Sequence, residues 1–501
     1  MPIARVAHIE LGSLWFQLRK GAQSVNHSTI DQHQRDGKTL IPPFLKLPQL
    51  RLSSWVNDRL PEMLWAALLI SHLPRSDALD VFREVAKYVN GVSDGDRPHD
   101  ITHTGLSKLR TDILEGLLAI LTARTERKEA LRPLLLLRDV PIGESWTEAI
   151  GVASQDEDWG KLMLAVASTF DHQSQEATDC RWVRILCMMV AGKLKFPTDL
   201  REEVRMLFEY PNYGDMKTLR PIIRSTEQAI AGMDQGTTDW PTRFWAQCLS
   251  GTPCLVPATS DGNSIGTSAI VDRVNRLSKL LVEHDHHTRT TSDVDPRHDT
   301  VFGMTLYCLS LILELARNDS SQSMMGRIAL RTIVECLITL KYLAKKDDAQ
   351  LWKSYRVFGA GQAKLAYLKL DELANASKYV DENMLKQIAN EDLWQEFLPI
   401  ELGHWEKADL RKMSIDAGLK DLYDGFYPWT STFSHGHWGA IRDAIFDTCL
   451  NPLHRFHRIP RTVARRLPDV LPDACALADR MLAIVSHCYP DLPDRIEEEN
   501  H

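Results

Sequence analysis

"SMMGRIALRTIVECLITLKYLAKKDD", residues 323–348, decides the fold class. Leu330, Ile333, Leu337 and Leu340 recur at the three-and-four spacing that lines one side of an α-helix. Ile338 and Tyr342 add apolar surface elsewhere, so the helix is apolar nearly all round, as an element buried on most sides would be. One polar line interrupts it. Arg327, Arg331, Glu335 and Thr339 are spaced four apart and share a face. Arginine followed by glutamate four later is the weaker orientation of a helix ion pair, and Arg327 and Arg331 repel each other at that spacing. A solvated helix gains little from this arrangement. In a buried helix such charges need partners, because stripping water from an unpaired charge is costly. The stripe therefore predicts either a structural Arg–Glu pair or a polar pocket.

The same periodicity extends along the chain. "SSWVNDRLPEMLWAALLISHL" (53–73) opens with Ser53 or Ser54 as an N-cap, and Leu60, Leu64, Leu68 and His72 follow every four residues. "SDALDVFREVAKYVNG" (76–91) starts on a Ser76/Asp77 cap and stops at Gly91. "LSKLRTDILEGLLAILTA" (106–123) and "CRWVRILCMMVAGKL" (180–194) continue the theme. Alternation of Val, Ile and Thr is nearly absent, and "LRPLLLLRDVPIG" (131–143) is the single segment that reads as a short strand. The expected class is all-α.

Bulk properties bound the rest. A chain of 501 residues is too long for one core. Gly, Pro, Ser and Thr cluster between about 232 and 267, which places a boundary there. The expected organisation is a helical N-terminal domain over 1–250 for sensing or docking, a linker at 251–267 and a helical domain over 268–501. A net charge of −8 argues against coating nucleic acid or anionic membrane through bulk charge, while leaving room for a local basic site. The N-terminus lacks the pattern of a secretory signal. The longest apolar runs fall short of the ~20 residues that span a bilayer. Nine dispersed cysteines without a Cys-x-x-Cys pair read as reduced, buried thiols of a cytoplasmic protein.

"YPWTSTFSHGHWGAIRD" (427–443) is the most unusual stretch. Pro428 favours extension before it, so a helix is expected to end by Phe426 or Tyr427 and to resume through "GAIRDAIFDTCL". Ser434, His435 and His437 then sit at a loop-to-helix junction, where free backbone N–H groups and histidine suit an anion and proton transfer. Arg331 is expected to meet His435 and to steady charge on a phosphate. A His-x-His pair also invites a metal, but His404, Glu406 and Asp443 stand at no telling spacing as further ligands. No metal or cofactor is expected. Ser434 lacks the Gly-x-Ser-x-Gly elbow of a hydrolase nucleophile. His284, Asp285, His286, His287 and His298 contain a His–Asp pair, for which a polar helix end is the plainer account. Arg480 and His487 lie seven apart, on one side of a helix.

Arg331-x-x-x-Glu335, "LWKSYRVFGAGQAKLAYL" (351–368) and "STFSHGHW" (431–438) together resemble an uncharacterised bacterial helical domain of unknown function, over roughly 268–488. More distantly, a helical domain with a late Arg…His pair is similar to the HEPN superfamily. That resemblance implies a helical bundle in a prokaryotic defence or toxin-type system. It further implies metal-independent RNA cleavage by an arginine and a histidine at a homodimer interface. Arg480 and His487 match the spacing, although Met481 stands where that superfamily usually has a polar residue. Two functions are expected on these grounds. One is an antiviral-type ribonuclease using Arg331, Glu335, Ser434, His435, His437, Arg480 or His487. The other is a non-catalytic binding or assembly protein in which Arg331, Glu335 and His435 are structural. RNA, a protein partner or a second copy are the expected partners, and a membrane is not.

Overall fold

A computed structural model describes residues 33–41, 54–194, 201–233, 239–256, 267–372, 379–391 and 398–492. Helices dominate them. The strands form two small sheets: β1 (Gln34–Asp36) pairs antiparallel with β2 (Thr39–Ile41), and β3 (Phe446–Thr448) pairs with β4 (Arg458–Pro460). The chain divides into two compact units, Met1–Ala258 with Thr448–Arg458, and Thr259–Asp447 with Ile459–His501. Residues 448–458 thus return to the first unit. Of the expected linker, residues 257–266 lie outside the described residues, as do Ser53 and the N-terminal 32 residues.

In the first unit Ser54 is an N-cap, its hydroxyl accepting from the N–H of Asn57 at 3.0 Å. The chain then enters α1 (Leu64–His72), buried from Leu64 through Ile70. Helix α2 (Arg75–Gly91) stops at the expected glycine, but it starts one residue before Ser76, after Pro74 and with no side-chain cap. Helices α3 (Thr111–Leu121), α4 (Asp158–Phe170), α5 (Gln175–Val190), α6 (Met216–Met233) and α7 (Trp240–Gly251) follow. Helix α5 packs on α1, α2 and α6, and α4 packs on α1. The core is rich in tryptophan. Trp65, Trp182 and Trp240 are buried, and each donates its indole N–H to a backbone carbonyl, of Ile101 (2.9 Å), Leu207 (2.7 Å) and Pro61 (3.1 Å). The expected strand at 131–143 is instead a 3₁₀ turn, Arg132–Leu136. Pro133 opens it, and Leu131, Leu134 and Leu137 are buried at a three-residue spacing. A short all-apolar run cannot separate strand from buried helix by periodicity, and here helix wins.

In the second unit the decisive stretch forms one helix. Its predecessors are α8 (Ser268–Thr288) and α9 (Pro296–Arg317). It is α10 (Met324–Lys346), capped by the Ser323 hydroxyl, which accepts from Met325 N–H at 3.1 Å. Then come α11 (Ala349–Asp371), α12 (Leu410–Ala417), α13 (Lys420–Ser434), α14 (Trp438–Ile445) and α15 (Leu471–Cys488). Helix α10 is central and packs against α9, α12, α13 and α15, which is why it is apolar nearly all round. Ile333, Val334 and Ile338 on it are fully buried. Helix α9 is long and apolar enough to cross a bilayer by length and composition. However, 56% of its most apolar stretch is buried within the protein, and it packs against α8, α10 and α15.

Candidate functional site

Helix α13 does not end before Pro428 but runs through it to Ser434. His435 closes the helix, Gly436 turns the chain at φ +60°, and His437 starts α14. A φ of that sign suits glycine, which has no Cβ to clash. The second glycine, Gly439, lets the chain press on an indole: a Cβ there would lie 3.1 Å from the Trp429 ring. The expected loop-to-helix junction is therefore a one-residue turn between two helices.

This turn sets His435 beside the polar stripe of α10. Arg331 Nε donates to Glu335 Oε1 at 3.0 Å, and one terminal nitrogen donates to the Tyr427 hydroxyl at 3.1 Å. The other lies 3.4 Å from His435 Nε2. A guanidinium only donates, so in this contact Nε2 is the acceptor. The Arg331 charge also sits over the Tyr427 ring, 5.1 Å from its centroid, and Tyr427 stacks on Tyr423. Burial works against that charge. The Tyr427 hydroxyl and the Glu335 carboxylate outweigh it and hold the pKa of Arg331 above its ordinary value. His435 and His437 are exposed and stacked, with ring centroids 5.6 Å apart. Ser434 is exposed beside them. Trp429 and Trp438, half or more exposed, flank the corner. Arg327, on the same stripe, has a structural role: it is buried and donates to the carbonyls of Ser321 and Pro468.

Thus Arg331, Glu335, Ser434, His435 and His437 share one corner, and the residue missed beside them is Tyr427. Arg480 and His487 are elsewhere in the unit, both exposed on α15, with no hydrogen bond joining them. The histidine-rich stretch runs from the end of α8, where His286 and His287 are exposed, into the start of α9. His298 is buried, 3.3 Å from Asp285, and bonded to the Thr288 hydroxyl at 3.0 Å, while His284 meets the Tyr489 carbonyl at 3.0 Å.

A second convergence was not legible. Cys254, Cys449, His454 and His457, all of the first unit, place one ligand-type atom each within 4.8 Å of the others. Cys254 is exposed, so the expectation of buried thiols fails for it. A cavity of about 410 Å³ in the same unit is lined by Arg97, Lys108, Arg110 and Lys193 beside three aspartates. None of the residues singled out in the sequence lines it.

Residues 305–449 match a family of unknown function (DUF5677). The match falls inside the 268–488 stretch whose residues pointed to a bacterial domain of unknown function. It takes in Arg331, Glu335, Tyr427, His435 and His437 but neither Arg480 nor His487. No curated protein and no solved structure matches the chain.

Proposed function

We propose that the second unit carries a metal-independent RNA-cleaving centre at the α10–α13 corner, in a cytoplasmic protein of a bacterial defence or toxin-type system. The observation that carries this reading is the 3.4 Å approach of Arg331 to the exposed His435. That contact is long for a hydrogen bond, so a phosphate arriving at the guanidinium readily displaces it and frees Nε2. His435 then takes the ribose 2′-OH proton. The 2′ oxygen attacks phosphorus, and the 5′ oxygen leaves with a proton from a protonated His437. The products are a 2′,3′-cyclic phosphate and a 5′-hydroxyl. Arg331, held by Glu335 and Tyr427, steadies the charge that grows on the phosphoryl oxygens. Trp429 and Trp438 offer faces on which unpaired bases stack.

The test is cleavage of a labelled single-stranded RNA by the purified full chain in EDTA. His435→Ala is expected to lower the rate by about 10²–10⁴-fold, the usual worth of a positioned general base. Arg331→Gln should lower it comparably.

A second reading has its own support: all three guanidinium nitrogens of Arg331 already have partners within the protein. On that reading the cluster latches α10 to α13 in a non-catalytic binding or assembly protein. No cleavage by the wild type, together with a stability loss in Arg331→Gln, would select it.

A further inference from the structure

We propose that Cys254, Cys449, His454 and His457 form a structural zinc site. Zinc takes four nitrogen and sulfur ligands in a tetrahedron, at ~2.3 Å from sulfur and ~2.0 Å from nitrogen, so neighbouring ligand atoms lie roughly 3.3–3.8 Å apart. Here Cys254 Sγ lies 3.6 Å from His454 Nδ1 and 3.6 Å from His457 Nε2, and Cys449 Sγ lies 3.4 Å from His454 Nδ1. These are three of the six edges such a tetrahedron would have. Two thiolates and two imidazoles also make up one of the donor sets typical of closed, structural sites.

The surroundings prepare His454 as a ligand. Its other nitrogen, Nε2, sits 3.0 Å from the Thr252 hydroxyl. That hydroxyl gives its one proton to the Cys248 carbonyl at 2.8 Å and accepts from Asn451 Nδ2 at 3.0 Å. It has no proton left for His454, so Nε2 must be the N–H. Nδ1 therefore bears the lone pair and aims it at the two sulfurs. An imidazole oriented by a hydrogen bond from its far nitrogen is the usual support for a metal-bound histidine.

The backbone is shaped to the same end. Cys449 N–H donates to the His457 carbonyl at 2.9 Å, closing the loop that carries three of the four residues. Leu450 N–H donates to the Leu255 carbonyl at 2.8 Å, and Asn451 Nδ2 to the Pro253 carbonyl at 2.9 Å, bringing in the strand of chain that carries Cys254. Between the histidines, Arg455 and Phe456 both adopt left-handed backbone, at φ +51° and +49°. Each such non-glycine residue costs on the order of 1 kcal/mol or more and persists only where the surroundings impose it. The turn brings the two imidazoles to a 5.2 Å centroid separation.

The experiment uses the full chain, purified under reducing conditions without chelator. Elemental analysis is expected to find about one zinc per chain, as a four-ligand site holds one ion. Chelator-stripped protein given cobalt(II) should develop the thiolate charge-transfer and tetrahedral d–d absorption of a sulfur-rich site. Cys254→Ser, at an exposed position, and His457→Asn should each weaken zinc retention tenfold or more in competition with a chelating dye. The proposal is overturned if the wild type carries no zinc and gives no such cobalt spectrum. It is equally overturned if both variants hold zinc as tightly as the wild type, or if intact mass shows a Cys254–Cys449 disulfide. RNA cleavage in EDTA is read separately, so neither result decides the other.

Discussion

His103 is the residue on which pH acts most directly. It is fully buried, with its ring edge-on to Trp146 and Trp240 at 5.9 and 6.0 Å, and neither ring nitrogen has a hydrogen-bond partner. Burial alone pushes its pKa down from 6.5 to about 3. Between those values the unfolded chain binds a proton that the folded chain refuses. Stability is therefore full above pH 6.5 and falls as pH drops toward 3, by at most about 1.4 kcal/mol per pH unit from this group. His103→Leu removes the titration without losing a hydrogen bond. In urea unfolding, its stability should change less than that of the wild type between pH 7 and pH 5. Parallel acid limbs in the two proteins would show that His103 is not responsible. At this scale the sequence was partly legible. Arg331 and His435 each stood out against an apolar or aromatic background, and they do meet. The zinc quartet did not stand out, because Cys254 and His457 are 203 residues apart and no local spacing pairs them.

Among the elements, α13 shows how tertiary packing overrides a local rule. Pro428 cannot donate to the preceding turn and disfavours helix in the residue before it. The helix continues regardless, because Leu422, Thr430 and Phe433 are buried along it, and the Thr430 hydroxyl donates to the Phe426 carbonyl at 2.8 Å. This continuation turns Tyr427 toward Arg331, and it is why that tyrosine was not anticipated as part of the site. The 3₁₀ turn at Arg132–Leu136 is the same lesson for a run with no periodicity to read. The α13–α14 turn yields a prediction of its own. Gly436→Ala places a Cβ on left-handed backbone with nothing else within 4 Å, so the cost is conformational alone. It should destabilise the protein by about 1 kcal/mol in urea unfolding. Gly436→Val should cost more, and both should slow any RNA cleavage by tilting His437. Unchanged stability in both variants would mean the turn relaxes freely.

At the scale of the whole molecule, the described residues make two large cores, one around the buried tryptophans and one around α10, and a small third cluster of Phe433, Ala440 and Leu467. Their chain segments were only partly legible. A composition break separates the units, but nothing local marks residues 448–458 as belonging with the first. Their tie is long-range: Leu453 is wholly buried in the first core, and its neighbours Asn451 and His454 bond to Thr252. This separation can be tested with two cavities of similar size. Leu453→Ala and Ile333→Ala each delete buried methyl groups and should each cost about 2–5 kcal/mol in denaturant unfolding. Their effects on bound metal should differ. Leu453 immediately precedes His454, so its truncation loosens the loop that carries Cys449, His454 and His457 and should speed zinc release to a chelating dye. Ile333 belongs to the other core, so its truncation should destabilise the protein and leave the rate of zinc release as in the wild type. If both variants release zinc equally fast under native conditions, the metal reports global stability, and the loop is not the independent clamp that its hydrogen bonds describe.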